Sequence, residues 1–236
     1  AEQPGPERRL TKLFAPQAIV FDMDGLLLDT ERIALATFED ACRAHGLDVA
    51  RAVYERCIGT SVKGTRDILG GELGFDVYDR LSREWFTRYE ARVLTQAVDV
   101  KDGGREILEL TRSLRIPVAL ATSTATELAR TKLRLAGLLD FFAAIVGGDR
   151  VTHAKPHPEP YLVAASRLGY APNQCWAIED SDNGVRAAHA AGLFVFQVPD
   201  LVQPAAEVRG IGHLVVDSLS DVASLLVEHS SRRTVT

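Results

Sequence analysis

Four groups of chemically capable residues stand out, and each follows a short apolar run. Asp22 and Asp24 come after Ala18–Phe21, with Gly25 directly behind them. Thr122, Ser123 and Thr124 follow residues 117–121, Lys155 comes shortly after 143–146, and Glu179 and Asp180 follow 175–178. Asp22 and Asp24 lie two residues apart on an extended segment, so their side chains leave one face. Gly25 allows a tight turn and a close backbone approach. Gathered in one small volume, four acids would repel one another unless a hard dication sat among them. Mg2+ suits such oxygen donors and keeps room for water and phosphate. Lys155 and the hydroxyls of Thr122 and Ser123 would hold phosphate oxygens, and the helix starting after Thr124 would add backbone N–H groups and its dipole.

Singly, each group is ordinary. An Asp-x-Asp is a common turn, Ser123 or Thr124 can cap the next helix, Glu179 and Asp180 can cap the helix from residue 183, and a lone lysine is usually exposed. Their recurrence in order, each where an apolar run ends, sets them apart.

The elements that must position them alternate. Apolar, β-branched runs at 117–121, 143–146, 175–178, 193–198 and, more weakly, 214–216 are separated by helical patterns at Gly104–Ser113, 125–135, Glu159–Leu168, 183–191 and 221–228. Buried strands alternating with helices predict an α/β fold, a doubly wound (Rossmann-like) parallel sheet, with Ala18–Phe21 as one more strand. Residues 31–98 contain no convincing strand. Ala34, Phe38, Ala41 and His45 recur at helical spacing, as do Tyr78, Leu81, Trp85 and Tyr89, while five glycines break up 57–74. This predicts an all-helical cap over 31–98, inserted into a core of 17–30 and 99–236. It would stand over the carboxyl ends of the strands, where open α/β sheets bind ligands.

Composition narrows the partners. The 236 residues are 46% hydrophobic and 25% charged, and the net charge is −5 with the 27 basic residues scattered. A nucleic-acid polymer or an anionic membrane is a poor match for that surface. No apolar run approaches the ~20 residues of a membrane span. Three well-separated cysteines, Cys42, Cys57 and Cys175, suit a reducing cytoplasm rather than a disulfide scaffold. Residues 1–16 read as a mobile, Pro-interrupted lead-in, and a monomer is the default expectation.

The strings FDMDGLLLDTE, LATST, AKPHPEPY and AIEDSDNGVRAA together resemble the haloacid dehalogenase superfamily of hydrolases, in particular its branch of small phosphatases and β-phosphoglucomutases with a helical cap. The likeness spans about residues 18–230. It implies that Asp22 is the nucleophile and forms an aspartyl-phosphate, that Asp24 is the general acid and base, and that Thr122 and Lys155 bind the phosphoryl group. It also implies that Glu179 and Asp180 complete a Mg2+ site with Asp22 and the Asp24 carbonyl. Those roles suit the chemistry: an ionised carboxylate attacks without a base, and neighbouring acids would raise the pKa of Asp24 as an acid catalyst requires.

The expected activity is hydrolysis of a phosphate monoester of a small metabolite. Dehalogenation is disfavoured because Asp24 is present. A β-phosphoglucomutase-type mutase is the alternative, yet Ala34 stands where those proteins carry a His. A phospho-receiver module is a distant rival, set against by an acid pair on a late strand and an insert of roughly 70 residues. Thr30, Glu31, Lys63 and Arg66 are candidate specificity residues. The stretch 59–66 reads as a loop dipping into the cleft, where Lys63 and Arg66 would meet a second anionic group. His153 and His157 flank Lys155 without an evident third ligand and read as surface histidines.

Overall fold

The protein is described from a computed structural model, over residues 13–58, 60 and 62–231. After β1 (Ala18–Phe21) come four helices, α1 (Thr30–Ala44), α2 (Arg51–Glu55), α3 (Val62–Leu73) and α4 (Phe75–Thr95). The alternating part follows: α5 (Gly104–Ser113), β2 (Val118–Ala121), α6 (Thr126–Leu135), β3 (Phe142–Val146), α7 (Glu159–Leu168) and β4 (Cys175–Glu179). It ends with α8 (Asp182–Ala190), β5 (Phe194–Gln197), α9 (Ala206–Arg209), β6 (Leu214–Val215) and α10 (Leu219–Ser231).

The six strands form one parallel sheet in the order β3-β2-β1-β4-β5-β6. β1 lies in its interior, with Phe21 opposite both Leu120 of β2 and Ile178 of β4. Alternation along β1 splits its side chains between two cores. Ile19 and Phe21 pack with Ile107, Leu133 and Leu226, so α5, α6 and α10 cover that face. Ala18 and Val20 pack with Tyr161, Val185 and Val208, so α7, α8 and α9 cover the other. Each fully buried Leu, Ile or Phe contributes on the order of 1.5–3 kcal/mol, which is why continuous apolar runs became interior strands.

Helices α1 to α4 bury a third cluster around Phe38, Leu69, Leu81 and Trp85. Rings interlock there: Phe38 meets Tyr54 at 4.9 Å and Trp85 at 5.1 Å between centroids. The Trp85 indole N–H donates to the Ala34 carbonyl at 3.0 Å, tying α4 to α1.

Two expectations need correction. The glycine-rich stretch does not stay irregular, because α3 runs through Gly64, Gly70 and Gly71. Each interior glycine costs a helix up to about 1 kcal/mol, but Gly70 is needed: a Cβ there would come within 2.5 Å of the Phe75 ring. The lead-in expectation lies outside the described residues up to position 12. Beyond it, Leu13 joins the main core and Phe14 meets Phe194 edge-on at 6.1 Å, so residues 13–16 pack rather than trail.

Candidate active site

The carboxyl ends of β1, β2 and β4 meet at one edge of the sheet. Asp22 is the first residue past β1, and its N–H continues the ladder to the Ile178 carbonyl at 3.0 Å. Asp24 and Gly25 then turn back. Gly25 has φ +83°, and a Cβ there would overlap the Asp180 carboxylate, so this turn requires glycine. Lys155 reaches in from the segment after β3 and donates to Asp22 Oδ1 at 2.6 Å and Glu179 Oε1 at 2.5 Å. The Tyr161 hydroxyl donates to the same Glu179 oxygen. The other Glu179 oxygen accepts from Ser181 Oγ and the Asp180 N–H, both at 3.2 Å. Glu179 is therefore fully engaged and fully buried. Ser181 caps α8 by accepting from the Gly184 N–H, a role expected of Glu179 or Asp180.

After β2, the Thr122 N–H bonds the Val146 carbonyl at 3.0 Å. Thr124 was a candidate cap for α6, but its hydroxyl instead donates to Asp24 Oδ2 at 2.7 Å, with Thr122 Oγ1 at 3.3 Å from the same oxygen. The cap of α6 is supplied from a distance, since Asp149 accepts from both the N–H and the hydroxyl of Thr126 at 2.7 and 2.6 Å. One N–H of that helix end, that of Thr126, is therefore taken up by Asp149. On the remaining side of Asp24, the ammonium of Lys132 donates to Oδ1 at 2.8 Å and to the Tyr89 hydroxyl at 2.7 Å. Lys132 is 1% exposed and joins the sheet edge to α4.

Charge is out of balance here. Five carboxyl groups (Asp22, Asp24, Glu31, Glu179 and Asp180) share the site and its walls with two ammonium groups, Lys132 and Lys155. Burial pushes the Asp22 carboxyl up to about 8, with Glu179 and Asp24 adding to the shift and Lys155 opposing it. Burial likewise holds Asp180 well above the carboxylate range, helped by Asp22 and Glu179. Asp24 goes the other way: burial would raise it, but Lys132 and the Thr124 and Thr30 hydrogen bonds outweigh that and hold it low. The expectation that neighbouring acids raise Asp24 is therefore corrected, because the nearest charge is a lysine. Burial and Asp24 lift Glu31 to about 7.

Oxygens of Asp22, Glu179 and Asp180 lie within 4.8 Å of one another, all in buried side chains. An acid-rich set short of positive charge fits a hard divalent cation. Asp22 and Asp180 line the cavity, whereas Glu179 stands behind them. The cavity measures about 260 Å³ and brings together Asp22, Asp24, Thr30, Glu31, Thr122, Ser123, Lys155 and Asp180. Lys63 and Arg66 are not among its lining residues. They sit on α3, paired with Asp67 at 2.6 Å and Asp79 at 3.2 Å. Around His153 and His157 a third potential ligand is present after all, as Glu159 lies beside both, although its carboxylate already accepts from the N–H groups of Thr152 and His153.

Two partners of the site escaped the sequence reading. Lys132 had a legible signal, a lysine three residues after Ala129 on the apolar stripe of α6. Tyr161 had none, since a tyrosine on the buried face of α7 is indistinguishable from core.

A parallel sheet with acids, hydroxyls and a lysine gathered at its carboxyl edge, under a helical layer, defines an α/β enzyme with its site at the strand ends. The chain belongs to the haloacid dehalogenase-like hydrolase family, whose model matches residues 19–198. It is 34% identical over 179 residues to a phosphorylated carbohydrates phosphatase of Thermotoga maritima, covering 75% of this chain and 82% of that one. A haloacid dehalogenase family hydrolase from Deinococcus radiodurans R1, solved with bound phosphate and sodium, is similar at TM-score 0.74 and 27% identity, covering 91% of this chain and 97% of that chain. The β-phosphoglucomutase of Clostridium difficile shares the fold at TM-score 0.74 and 24% identity, over 94% of this chain and 100% of that chain. Family membership sets the receiver alternative aside.

Proposed function

We propose that the protein is a phosphatase that hydrolyses phosphate monoesters of small metabolites through an aspartyl-phosphate on Asp22. One observation carries this reading: Asp22, Asp24, Thr122, Ser123, Lys155 and Asp180, remote in sequence, line one 260 Å³ cavity. Burial lifts Asp22 to about 8, and a divalent cation held by the acid cluster would favour its ionised form. The Asp22 carboxylate attacks phosphorus and forms an O–P bond while the ester O–P bond breaks, and the departing alkoxide takes a proton from Asp24. Water then attacks the phosphorus, Asp24 takes its proton, and phosphate leaves with Asp22 restored. Lys132 and Thr124 hold Asp24 in the ionised form that the second step uses. The first step needs it protonated, and Glu31, lifted to about 7, keeps a proton in the same cavity near neutral pH.

Lys155 and the hydroxyls of Thr122 and Ser123 orient the phosphoryl oxygens, and Glu179 anchors Lys155. Mg2+ is the proposed ion, held by Asp22, Asp180 and the Asp24 carbonyl with Glu179 behind. When bound it supplies charge neutralisation for the transferring phosphoryl group. Among the described residues no helix is long and apolar enough to cross a membrane. Three free, buried cysteines suit the proposed cytoplasmic setting, and we propose a monomer.

A panel of phosphomonoesters assayed for released phosphate, beside a bisphosphate-dependent mutase assay, tests this. Sustained Mg2+-dependent phosphate release is expected. Isomerisation of a sugar phosphate without phosphate release would instead select the mutase.

A further inference from the structure

The helical wall of the cavity carries a different chemistry from the sheet edge. It presents the rings of Tyr54, Trp85, Phe86 and Tyr89, with hydroxyls at Thr60 and Thr65. Trp85, Phe86 and Tyr89 also line a neighbouring groove of about 520 Å³, bordered by Val62, Ala125 and Leu128. Alone, 260 Å³ falls below the roughly 300–1,000 Å³ of ordinary ligand sites, so a leaving group of any size must extend along these rings.

Cations are missing from that wall. Among the described residues of α1 to α4, none that lines the cavity is a lysine or arginine. Arg66 is held by Asp79 and lies over the Phe75 ring. Lys63 borders the groove, but its side chain is 84% exposed and paired with Asp67, and Glu90 borders the same groove. Lys132 lies behind, already bonded to Asp24 and Tyr89. A second phosphate or carboxylate on the substrate would therefore lose water beside the Glu31 carboxyl with no ammonium or guanidinium to replace it. An uncharged ring, by contrast, would cover the exposed face of Phe86 and gain from the apolar area removed from water.

We infer that the leaving group this site accepts is an uncharged, ring-bearing polyol, a sugar or a nucleoside, and that the helical wall rejects substrates with a second anionic group. This rests on the proposed phosphatase reading and adds the class of alcohol released.

The test compares matched pairs with the full-length protein and Mg2+: glucose 6-phosphate with 6-phosphogluconate, fructose 6-phosphate with fructose 1,6-bisphosphate, and glycerol phosphate with phosphoglycolate. The uncharged member is expected to lead in kcat/KM by about tenfold or more in each pair. Phe86→Arg, at a side chain already partly exposed, puts a cation on the wall and is expected to shrink those ratios several-fold. Parity or reversal in any pair overturns the inference, and so do ratios that Phe86→Arg leaves unchanged. Glucose 6-phosphate against uridine 5′-monophosphate then separates the sugar source from the nucleoside source. p-Nitrophenyl phosphate, a monoester with no second anionic group, serves as a control for the reading beneath: without phosphate release from it or from any member of the pairs, the phosphatase proposal fails, whereas release from it with inverted pairs sinks only the inference.

Discussion

The two walls of the cavity are built on opposite principles. On the sheet edge the polar groups interlock: Glu179 takes hydrogen bonds from Lys155, Tyr161 and Ser181, and Asp24 takes them from Thr124 and Lys132. On the helical side the lining is aromatic and hydroxylic apart from the Glu31 carboxyl, and the cations of α3 are paired with acids outside it. A pre-organised polar network fixes atoms to fractions of an ångström, as bond-making requires. An aromatic wall constrains shape and charge but tolerates variation in the alcohol. Under the proposed function the chemistry falls to the strand ends and the choice of substrate to the helices, and Lys132 with Tyr89 bonds the two walls together on Asp24.

The contrast is broken most severely at Asp22. Asp22→Asn keeps the shape and removes the proposed nucleophile, so phosphate release is expected to fall by about 10⁴-fold or more. Thermal melting should not drop, because burial already disfavours the charge that the substitution removes. Substantial residual turnover would show that the nucleophile lies elsewhere.

Lys132 tests the link between the walls. Lys132→Met keeps the stem and deletes the ammonium, and kcat is expected to fall about 10²-fold. Because Lys132 is the main charge holding Asp24 low, the limb of the pH–rate profile that reports Asp24 should move to higher pH. An unmoved profile would reduce Lys132 to packing.

That residue also marks where the sequence stops being readable. The strand-end acids were legible because an apolar run names its own end and Gly25 names a turn. The sheet was legible for the same reason, and α5 and α7 fell on their expected residues. What could not be read was who answers whom across the fold. Thr124 reads as a local cap but bonds Asp24, 100 residues away in sequence, while Asp149 does the capping. Glu179 and Asp180 look equivalent as neighbours, yet one faces the cavity and the other is sealed behind it. Such partnerships are set by tertiary packing, which leaves no trace in spacing. The glycines of α3 misled for a related reason: a tertiary contact with Phe75 decides Gly70, not propensity.

The acid excess on the sheet edge predicts a pH signature. Asp22 and Glu31 are lifted to about 8 and about 7 in the folded protein, so across pH 4–8 the native state holds more protons than the unfolded chain. Stability therefore falls as pH rises through that window and levels off above about 8. For chelated protein this should appear as a drop in Tm of roughly 3–10 °C between pH 5 and 8. Mg2+ should restore more of it at the upper end, where the acids are ionised. A Tm that is flat with pH would mean that the carboxyl groups are not short of positive charge.

A smaller effect is expected behind the cavity. A Cβ at Gly184 would overlap the Glu179 carboxylate, so Gly184→Ala must push the anchor of Lys155 aside. Overpacking of this kind costs about 1–3 kcal/mol, read by denaturant titration, and Phe86→Ala on the open wall should cost less.

The smallest expected effect is also the most discriminating for the helical wall. Lys63 is 84% exposed and paired only with Asp67, four residues on, and such pairs contribute at most about 0.5 kcal/mol. Arg66 is half-exposed and occupied by Asp79. If the wall selects by the absence of cations, Lys63→Ala and Arg66→Ala should each leave kcat/KM within about twofold for every member of the panel. A selective loss of several-fold on bisphosphate or carboxylate substrates alone would show that α3 swings a cation into the groove, and that the two walls share the work of charge recognition.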